Sequence, residues 1–136
     1  VARPSSRTER RRAEVADRKT VLLVEDDESV RRMVRVTLEM NDYEVVEARD
    51  GLEGLLLLEM HRPDAVVLDL MMPDVGGERM LTQLRSAPET KRTPVVIITG
   101  KPEVAPEVIG LVGRENFFPK PFDPEAVIGR LRSILG

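Results

Sequence analysis

The chain has 136 residues, 41% of them hydrophobic, and a net charge of −3, which suits one domain with a modest core of mainly aliphatic side chains. It contains no cysteine, which excludes a disulfide framework and thiol chemistry and fits a reducing cytoplasm, the compartment that we predict. No stretch is long and apolar enough to span a bilayer, so no membrane segment is expected, and residues 1–19 lack the apolar stretch of a secretory signal.

Residues 1–19 form a basic polar segment, which we predict to be an arm or an interdomain linker before a domain of residues 20–136. The segment carries seven basic and three acidic side chains, whereas the rest carries 14 basic and 21 acidic ones. A basic arm can contact nucleic acid or anionic lipid, but the lack of interleaved aromatic residues favours a solvated linker. The acidic body indicates that the domain itself binds no nucleic acid. The first residue is Val rather than Met, which favours a fragment of a longer polypeptide.

Apolar strands alternate with helices from residue 20 onward. A buried strand over 20–24 ends in an acidic run, and apolar residues at helical spacing then extend over 29–38. Residues 43–48 alternate as a second strand, and a leucine-rich helix over 52–60 follows an Asp-Gly turn. The third strand, over 65–69, is apolar until its final residue, which is an aspartate.

The alternation continues to the end of the chain. The pattern predicts a helix over 78–86, a buried strand over 95–100 and a weaker helix over 103–113 bracketed by prolines and glycines. A short fifth strand over 116–118 precedes a last helix over 124–134, which an aspartate caps and a proline begins. Five strands alternating with five helices indicate an α/β domain whose doubly wound, five-stranded parallel sheet is covered on both faces.

Five polar side chains end or follow the predicted strands, and parallel strands bring their carboxyl ends to one edge of the sheet. They are Glu25 and Asp26 after strand one, Asp69 ending strand three, Thr99 ending strand four and Lys120 after strand five. Three neighbouring carboxylates repel one another unless a cation or protons neutralise them. Ligation by oxygen alone favours Mg²⁺, which commonly serves phosphate chemistry. An aspartate flanked by cations can attack phosphorus and form an acyl phosphate, with Lys120 and Thr99 contacting phosphoryl oxygens.

Each of these residues also has an ordinary structural explanation when taken alone. The acidic run after strand one can favour a helix dipole, a threonine that ends a strand commonly caps a loop, and a loop lysine is commonly solvated. The convergence of five such residues on one edge favours a shared site. His61, in contrast, has no partner nearby in sequence and is predicted to be structural or solvated rather than a phosphoryl carrier.

Four segments resemble the response-regulator receiver domain of bacterial two-component signalling, in the same order and at the same intervals. They are Val21–Asp27, Leu68–Asp74, Ile97–Gly100 and Lys120–Phe122, and the resemblance covers residues 20–136. It implies a flavodoxin-like sheet in the strand order 2-1-3-4-5. It also implies a signalling module rather than a turnover enzyme, whose only chemistry is phosphorylation of itself and slow self-hydrolysis.

The resemblance implies a role for each residue at the sheet edge. Asp69 would accept a phosphoryl group from a histidine kinase or a phosphotransfer protein, and Lys120 would bind the phosphoryl oxygens. Mg²⁺ would be bound by Asp26, Asp69 and the backbone carbonyl of Met71, with Glu25 acting through a water. The 43-residue interval from Asp26 to Asp69 favours Glu25 and Asp26 as the acidic pair over Asp26 and the aspartate that follows it.

The same resemblance implies a conformational switch. Thr99 would move toward the phosphoryl group and Phe117 would follow it inward, which would remodel the face formed by helix four, strand five and helix five. A downstream effector, a covalently linked domain or a second copy in a phosphorylation-dependent homodimer would bind that face.

The glycine pair after the third strand departs from the family pattern, and two further positions bear on phosphate lifetime. The pair Gly76-Gly77 predicts a loose joint after the third strand. Met71 and Lys101 stand at the positions that tune phosphate lifetime in the family, and because neither activates water we expect slow self-hydrolysis.

Two rival functions stay open. A phosphatase of the haloacid-dehalogenase type would need a second aspartate at position 71, where this chain has Met71. A pseudo-receiver that binds partners without phosphate would not need the complete acidic, threonine and lysine set.

Overall fold

From residue 20 onward, five strands and five α-helices alternate in the structure, a computed structural model that describes residues 6–10, 17–72, 76–101 and 103–136. The strands are β1 (Thr20–Val24), β2 (Glu44–Ala48), β3 (Ala65–Asp69), β4 (Val95–Thr99) and β5 (Phe117–Pro119). The helices are α1 (Glu28–Met40), α2 (Gly51–His61), α3 (Gly77–Ser86), α4 (Pro106–Val112) and α5 (Pro124–Leu135), with a 3-10 turn at Arg114–Asn116. Within the predicted arm, residues 7–10 are helical, and residues 1–5 and 11–16 lie outside the described part.

The strands form one parallel sheet in the order β2-β1-β3-β4-β5, which confirms the doubly wound prediction. Helices α1 and α5 pack together on one face of the sheet, and α2, α3 and α4 pack in sequence on the other. The three central strands β1, β3 and β4 are almost entirely buried because both faces are covered, which explains their unbroken apolar sequences.

No helix in the described part of the chain combines the length and the apolar character needed to cross a membrane.

Aspartates begin three of the helices, as short polar side chains do when they satisfy free backbone N–H groups. Asp27 Oδ1 accepts from the Val30 N–H at 3.0 Å at the start of α1. Asp50 Oδ1 accepts from the Glu53 N–H at 2.8 Å at the start of α2. Asp123 caps α5 in the predicted position, with a proline at the first helical residue.

The fourth helix is shorter than predicted. It spans Pro106–Val112 rather than 103–113, because Pro106 suits only the first turn and Gly113 ends the helix with a φ of 89°. The fifth strand likewise begins one residue later than predicted, because Asn116 belongs to the preceding 3-10 turn.

The carboxyl end of α4 is held by two side chains from other segments. The Arg85 guanidinium donates to the Leu111 carbonyl at 2.8 Å and to the Thr93 carbonyl at 2.6 Å. Asn116 donates to the Val112 carbonyl and accepts from the Arg130 Nε at 2.6 Å, which connects α4 to α5. The bonds to Leu111 and Val112 satisfy carbonyls that the end of a helix leaves free. The short helix is therefore fixed at its carboxyl end, whereas its first residues have no side-chain cap.

Candidate functional site

The carboxyl ends of β1, β3 and β5 bring three charged side chains into contact. Glu25 follows β1 and is completely buried, and Asp69 ends β3 with 1% of its surface exposed. Lys120 follows β5, and its Nζ lies 2.5 Å from Glu25 Oε1 and 3.3 Å from Asp69 Oδ2. Residues separated by up to 95 positions in the sequence thus share one site, as the strand order requires.

Backbone N–H groups hold both carboxylates in place. The Met71 N–H donates to Asp69 Oδ1 at 3.0 Å, and the Asp27 N–H donates to Glu25 Oε2 at 3.1 Å. The Arg31 guanidinium donates to the backbone carbonyl of Glu25 at 2.9 Å and so connects the loop after β1 to α1. The carboxylates are therefore fixed in orientation, with Asp69 Oδ2 on the side of the lysine.

One lysine does not neutralise the two buried carboxylates that surround it. Burial raises the pKa of Glu25 to about 7; the Lys120 ammonium and the Asp27 N–H oppose this rise, and Asp69 adds to it. For Lys120 burial lowers the pKa, but the contacts with Glu25 and Asp69 outweigh burial and raise it. Lys120 is thus a cation at neutral pH, whereas Glu25 exchanges a proton near pH 7.

The acidic cluster offers oxygen ligands for a second cation. Glu25, Asp26 and Asp69 each offer a carboxylate oxygen, and these oxygens lie within 4.8 Å of one another. Glu25 Oε1 is buried and has no hydrogen-bond partner among the described residues, apart from its ion-pair contact with Lys120. A donor set made only of oxygens, two of them buried, fits a hard divalent ion such as Mg²⁺. Asp27, in contrast, caps α1, and the cluster supports Glu25 and Asp26 as the acidic pair.

Thr99 lies beside this cluster on β4, and Phe117 lies on β5, one strand farther from the cluster. Asp69 pairs with Ile98 in the sheet, so Thr99 is the next residue along the neighbouring strand. Thr99 is buried, its Oγ1 accepts from the Lys101 N–H at 3.1 Å, and its carbonyl accepts from the Lys120 N–H at 2.8 Å. Phe117 is half-buried and packs on the core face covered by α2, α3 and α4. Their switching roles stay predictions, as does the Met71 carbonyl as a metal ligand.

Gly77 contributes to the site in a way that the sequence did not reveal. A Cβ at residue 77 would lie 2.1 Å from the Asp69 carbonyl oxygen and 2.7 Å from Leu70 Cα, whereas a Cβ at Gly76 would have no atom within 4 Å. The prediction of a loose joint is therefore wrong for Gly77, because the first turn of α3 packs directly on the backbone of the phosphoacceptor candidate. A Gly-Gly pair is equally typical of flexible and of closely packed backbone, so the sequence alone could not separate the two.

His61 ends α2, which runs back from the carboxyl end of β2 to the start of β3. His61 therefore lies near the amino ends of the strands, opposite the carboxyl ends that carry the acidic cluster. It is exposed, which agrees with its interpretation as a solvated residue.

Sequence comparison relates the chain to regulatory proteins. The family model "Response regulator receiver domain" matches residues 21–132. Response regulator MprA of Mycobacterium sp. (strain KMS) is 41% identical over 116 residues, which are 85% of this chain and 50% of that protein. MprA of Mycobacterium avium (strain 104) is 40% identical over the same length and shares. The chain thus spans about half the length of these relatives.

Structural comparison gives the same relationship. The chemotaxis protein CheY4 of Vibrio cholerae superimposes with a TM-score of 0.76 at 33% identity, covering 86% of this chain and 98% of CheY4. The receiver domain of the Francisella response regulator 1452 superimposes with a TM-score of 0.76 at 28% identity, covering 85% of this chain and 95% of that domain.

Proposed function

Because the chain belongs to the response-regulator receiver family of two-component signalling, we propose that Asp69 accepts a phosphoryl group from a histidine kinase or a phosphotransfer protein. The observation that carries this proposal is the contact of Lys120 Nζ with Asp69 Oδ2 at 3.3 Å. It gives a buried carboxylate a fixed cation that can bind the oxygens of an incoming phosphoryl group.

The transfer needs only positioned charge. An oxygen of the Asp69 carboxylate attacks phosphorus, the bond from phosphorus to the donor breaks, and the donor keeps that electron pair, which leaves an acyl phosphate on Asp69. The Met71 N–H holds the other carboxylate oxygen, so the carboxylate does not rotate away. Lys120 shifts its hydrogen bonds from the carboxylates to the phosphoryl oxygens, and the Thr99 hydroxyl donates to another of them.

The acidic cluster would hold Mg²⁺ during this step. Asp26, Asp69 and the Met71 carbonyl would be direct ligands, with Glu25 acting through a water. The ion supplies charge neutralisation for the phosphoryl oxygens. The cluster of three carboxylates supports this assignment, because Lys120 alone does not neutralise the buried pair Glu25 and Asp69.

The phosphorylated domain would signal through α4, β5 and α5. Thr99 and Phe117 would move together and alter that face, which a downstream effector, a linked domain or a second copy would bind. The domain of residues 20–136 would act once on itself rather than turn over substrate. Met71 is 52% exposed and carries no acidic group. It therefore cannot supply the general acid of a haloacid-dehalogenase phosphatase. It also cannot activate a water, so self-hydrolysis would be slow.

The direct test is incubation of the chain with acetyl phosphate in the presence and absence of Mg²⁺, followed by intact-mass measurement. We expect the addition of one phosphoryl group, located at Asp69 by peptide mapping, and none when a chelator removes the ion. Modification that persists without Mg²⁺, or its absence under all conditions, would contradict the proposal, and the latter result is the one expected of a pseudo-receiver. Sustained hydrolysis of phosphate esters would instead indicate a phosphatase.

Binding of Mg²⁺ is expected to weaken roughly tenfold when the pH falls from 8 to 6. The pKa of Glu25 is raised to about 7 by burial, so this carboxyl is largely protonated at pH 6 and largely ionised at pH 8. Only the ionised form contributes negative charge to a cation site. Calorimetric titration with Mg²⁺ at the two pH values measures the change.

The matched control is Glu25→Gln, which keeps the size of the side chain but does not titrate. It is expected to bind Mg²⁺ with little change between the two pH values. An equally steep pH dependence in this variant would assign the titration to another group.

A further inference from the structure

An ion pair at the edge of the site connects helix α3 to the segment that follows β4. The Lys101 ammonium contacts Glu78 Oε1, and the two side chains are 36% and 40% exposed. Both ends of this pair attach to the phosphorylation site through short backbone connections. Glu78 follows Gly77, which packs against the Asp69 carbonyl, and the Lys101 N–H donates to Thr99 Oγ1 at 3.1 Å.

These contacts oppose any movement of the Thr99 hydroxyl. In the proposed switch, Thr99 turns toward a phosphoryl group on Asp69, and its Oγ1 gives up the bond from the Lys101 N–H. The ion pair with Glu78 holds Lys101 where that bond forms and so favours the resting position of Thr99. The backbone of Glu78 is in turn held in place, since Gly77 before it packs closely on the backbone of Asp69 and Leu70.

We propose that the Glu78–Lys101 ion pair holds Thr99 in its resting position, so that Glu78 and Lys101 are positioning residues that set how tightly the domain takes up a phosphoryl group. This inference rests on the proposed phosphorylation of Asp69. An ion pair that stabilises only the resting conformation lowers the affinity of the domain for any ligand that binds the other conformation. For an ion pair of this exposure, its loss should strengthen phosphoryl binding about two- to fivefold.

Equilibrium binding of trifluoroberyllate, a phosphoryl analogue, in saturating Mg²⁺ tests the proposal. We expect Glu78→Gln and Lys101→Gln each to tighten binding about two- to fivefold, and the double variant to tighten it no further than either single one. The exchanged pair Glu78→Lys with Lys101→Glu should return the affinity to the wild-type value. Amide hydrogen exchange at Lys101 should also accelerate in Glu78→Gln, because the N–H bond to Thr99 is less well held.

A second exposed ion pair provides the control. Arg35 and Glu39 lie one turn apart on α1, with Nη1 and Oε1 3.0 Å apart and side chains 34% and 52% exposed. Glu39→Gln removes a comparable pair that has no connection to Thr99, and it should leave trifluoroberyllate affinity unchanged.

Several results would overturn the proposal. Wild-type affinity in both single variants would do so, as would additive effects or failure of the exchanged pair to restore the affinity. Tightening in Glu78→Gln together with weakening in Lys101→Gln would reveal a simple effect of net charge. A wild-type chain that binds no trifluoroberyllate and takes no phosphoryl group would refute the proposed function itself, whereas normal binding with unaffected variants refutes only the role of the ion pair.

Discussion

Asp69→Asn is expected to abolish acyl-phosphate formation and to leave the fold intact. An amide oxygen is a poor nucleophile, and the substitution keeps the size of the side chain and an oxygen that can accept from the Met71 N–H. It also removes a negative charge that raises the pKa of the buried Glu25. Without Mg²⁺ the variant should therefore unfold at the same temperature as the wild type or at a higher one. Intact mass after incubation with acetyl phosphate and a thermal unfolding curve measure the two effects.

Asp50→Asn is the matched control for this experiment. Asp50 caps α2 by accepting from the Glu53 N–H, and asparagine caps a helix about as well as aspartate does. The control loses the same charge in a different place and should gain one phosphoryl group at the wild-type rate. An Asp69→Asn chain that showed the wild-type mass increase would require a different acceptor residue.

Gly77→Ala is expected to destabilise the domain by about 1–3 kcal/mol and to slow phosphorylation at Asp69. The added methyl group would lie 2.1 Å from the Asp69 carbonyl oxygen, so either the start of α3 or the end of β3 must move. Alanine inside a helix normally adds about 0.5–1 kcal/mol of stability relative to glycine, so a loss would have to come from this contact. Urea unfolding gives the free energy, and the rate of mass increase with acetyl phosphate gives the effect on the site.

Gly76→Ala separates this contact from a general effect of replacing glycine. Gly76 precedes α3 with φ −68° and ψ 158°, angles that alanine adopts freely, and a Cβ there would meet no atom within 4 Å. Its free energy of unfolding should stay within about 0.5 kcal/mol of the wild type. Equal losses in the two variants would refute the close approach of Gly77 to Asp69.

The composition of the strands already determined most of the fold. Fully apolar strands of five residues, separated by helices, are stable only in a parallel sheet covered on both faces. That topology places Glu25, Asp69, Thr99 and Lys120 at one edge, whatever the details of packing. The approximate site was therefore predictable from residues far apart in the sequence. The helix start at Asp123 was also predictable, because a cap depends on bonds within three residues.

The contacts around the site depended on tertiary structure. Three contacts join segments whose separation depends on how the helices and loops pack on the sheet. They are the pairing of Lys120 with Glu25 as well as Asp69, the close packing of Gly77 on β3 and the Glu78–Lys101 ion pair. The same holds for Arg85 and Asn116. Their bonds to α4 carbonyls cannot be predicted from the periodicity of apolar residues. Sequence patterns record which face of an element is apolar, whereas these contacts depend on distances of a few ångströms between elements. The sequence by itself determined the fold and the edge that carries the chemistry, and only the tertiary structure decided which neighbours restrain Asp69 and Thr99.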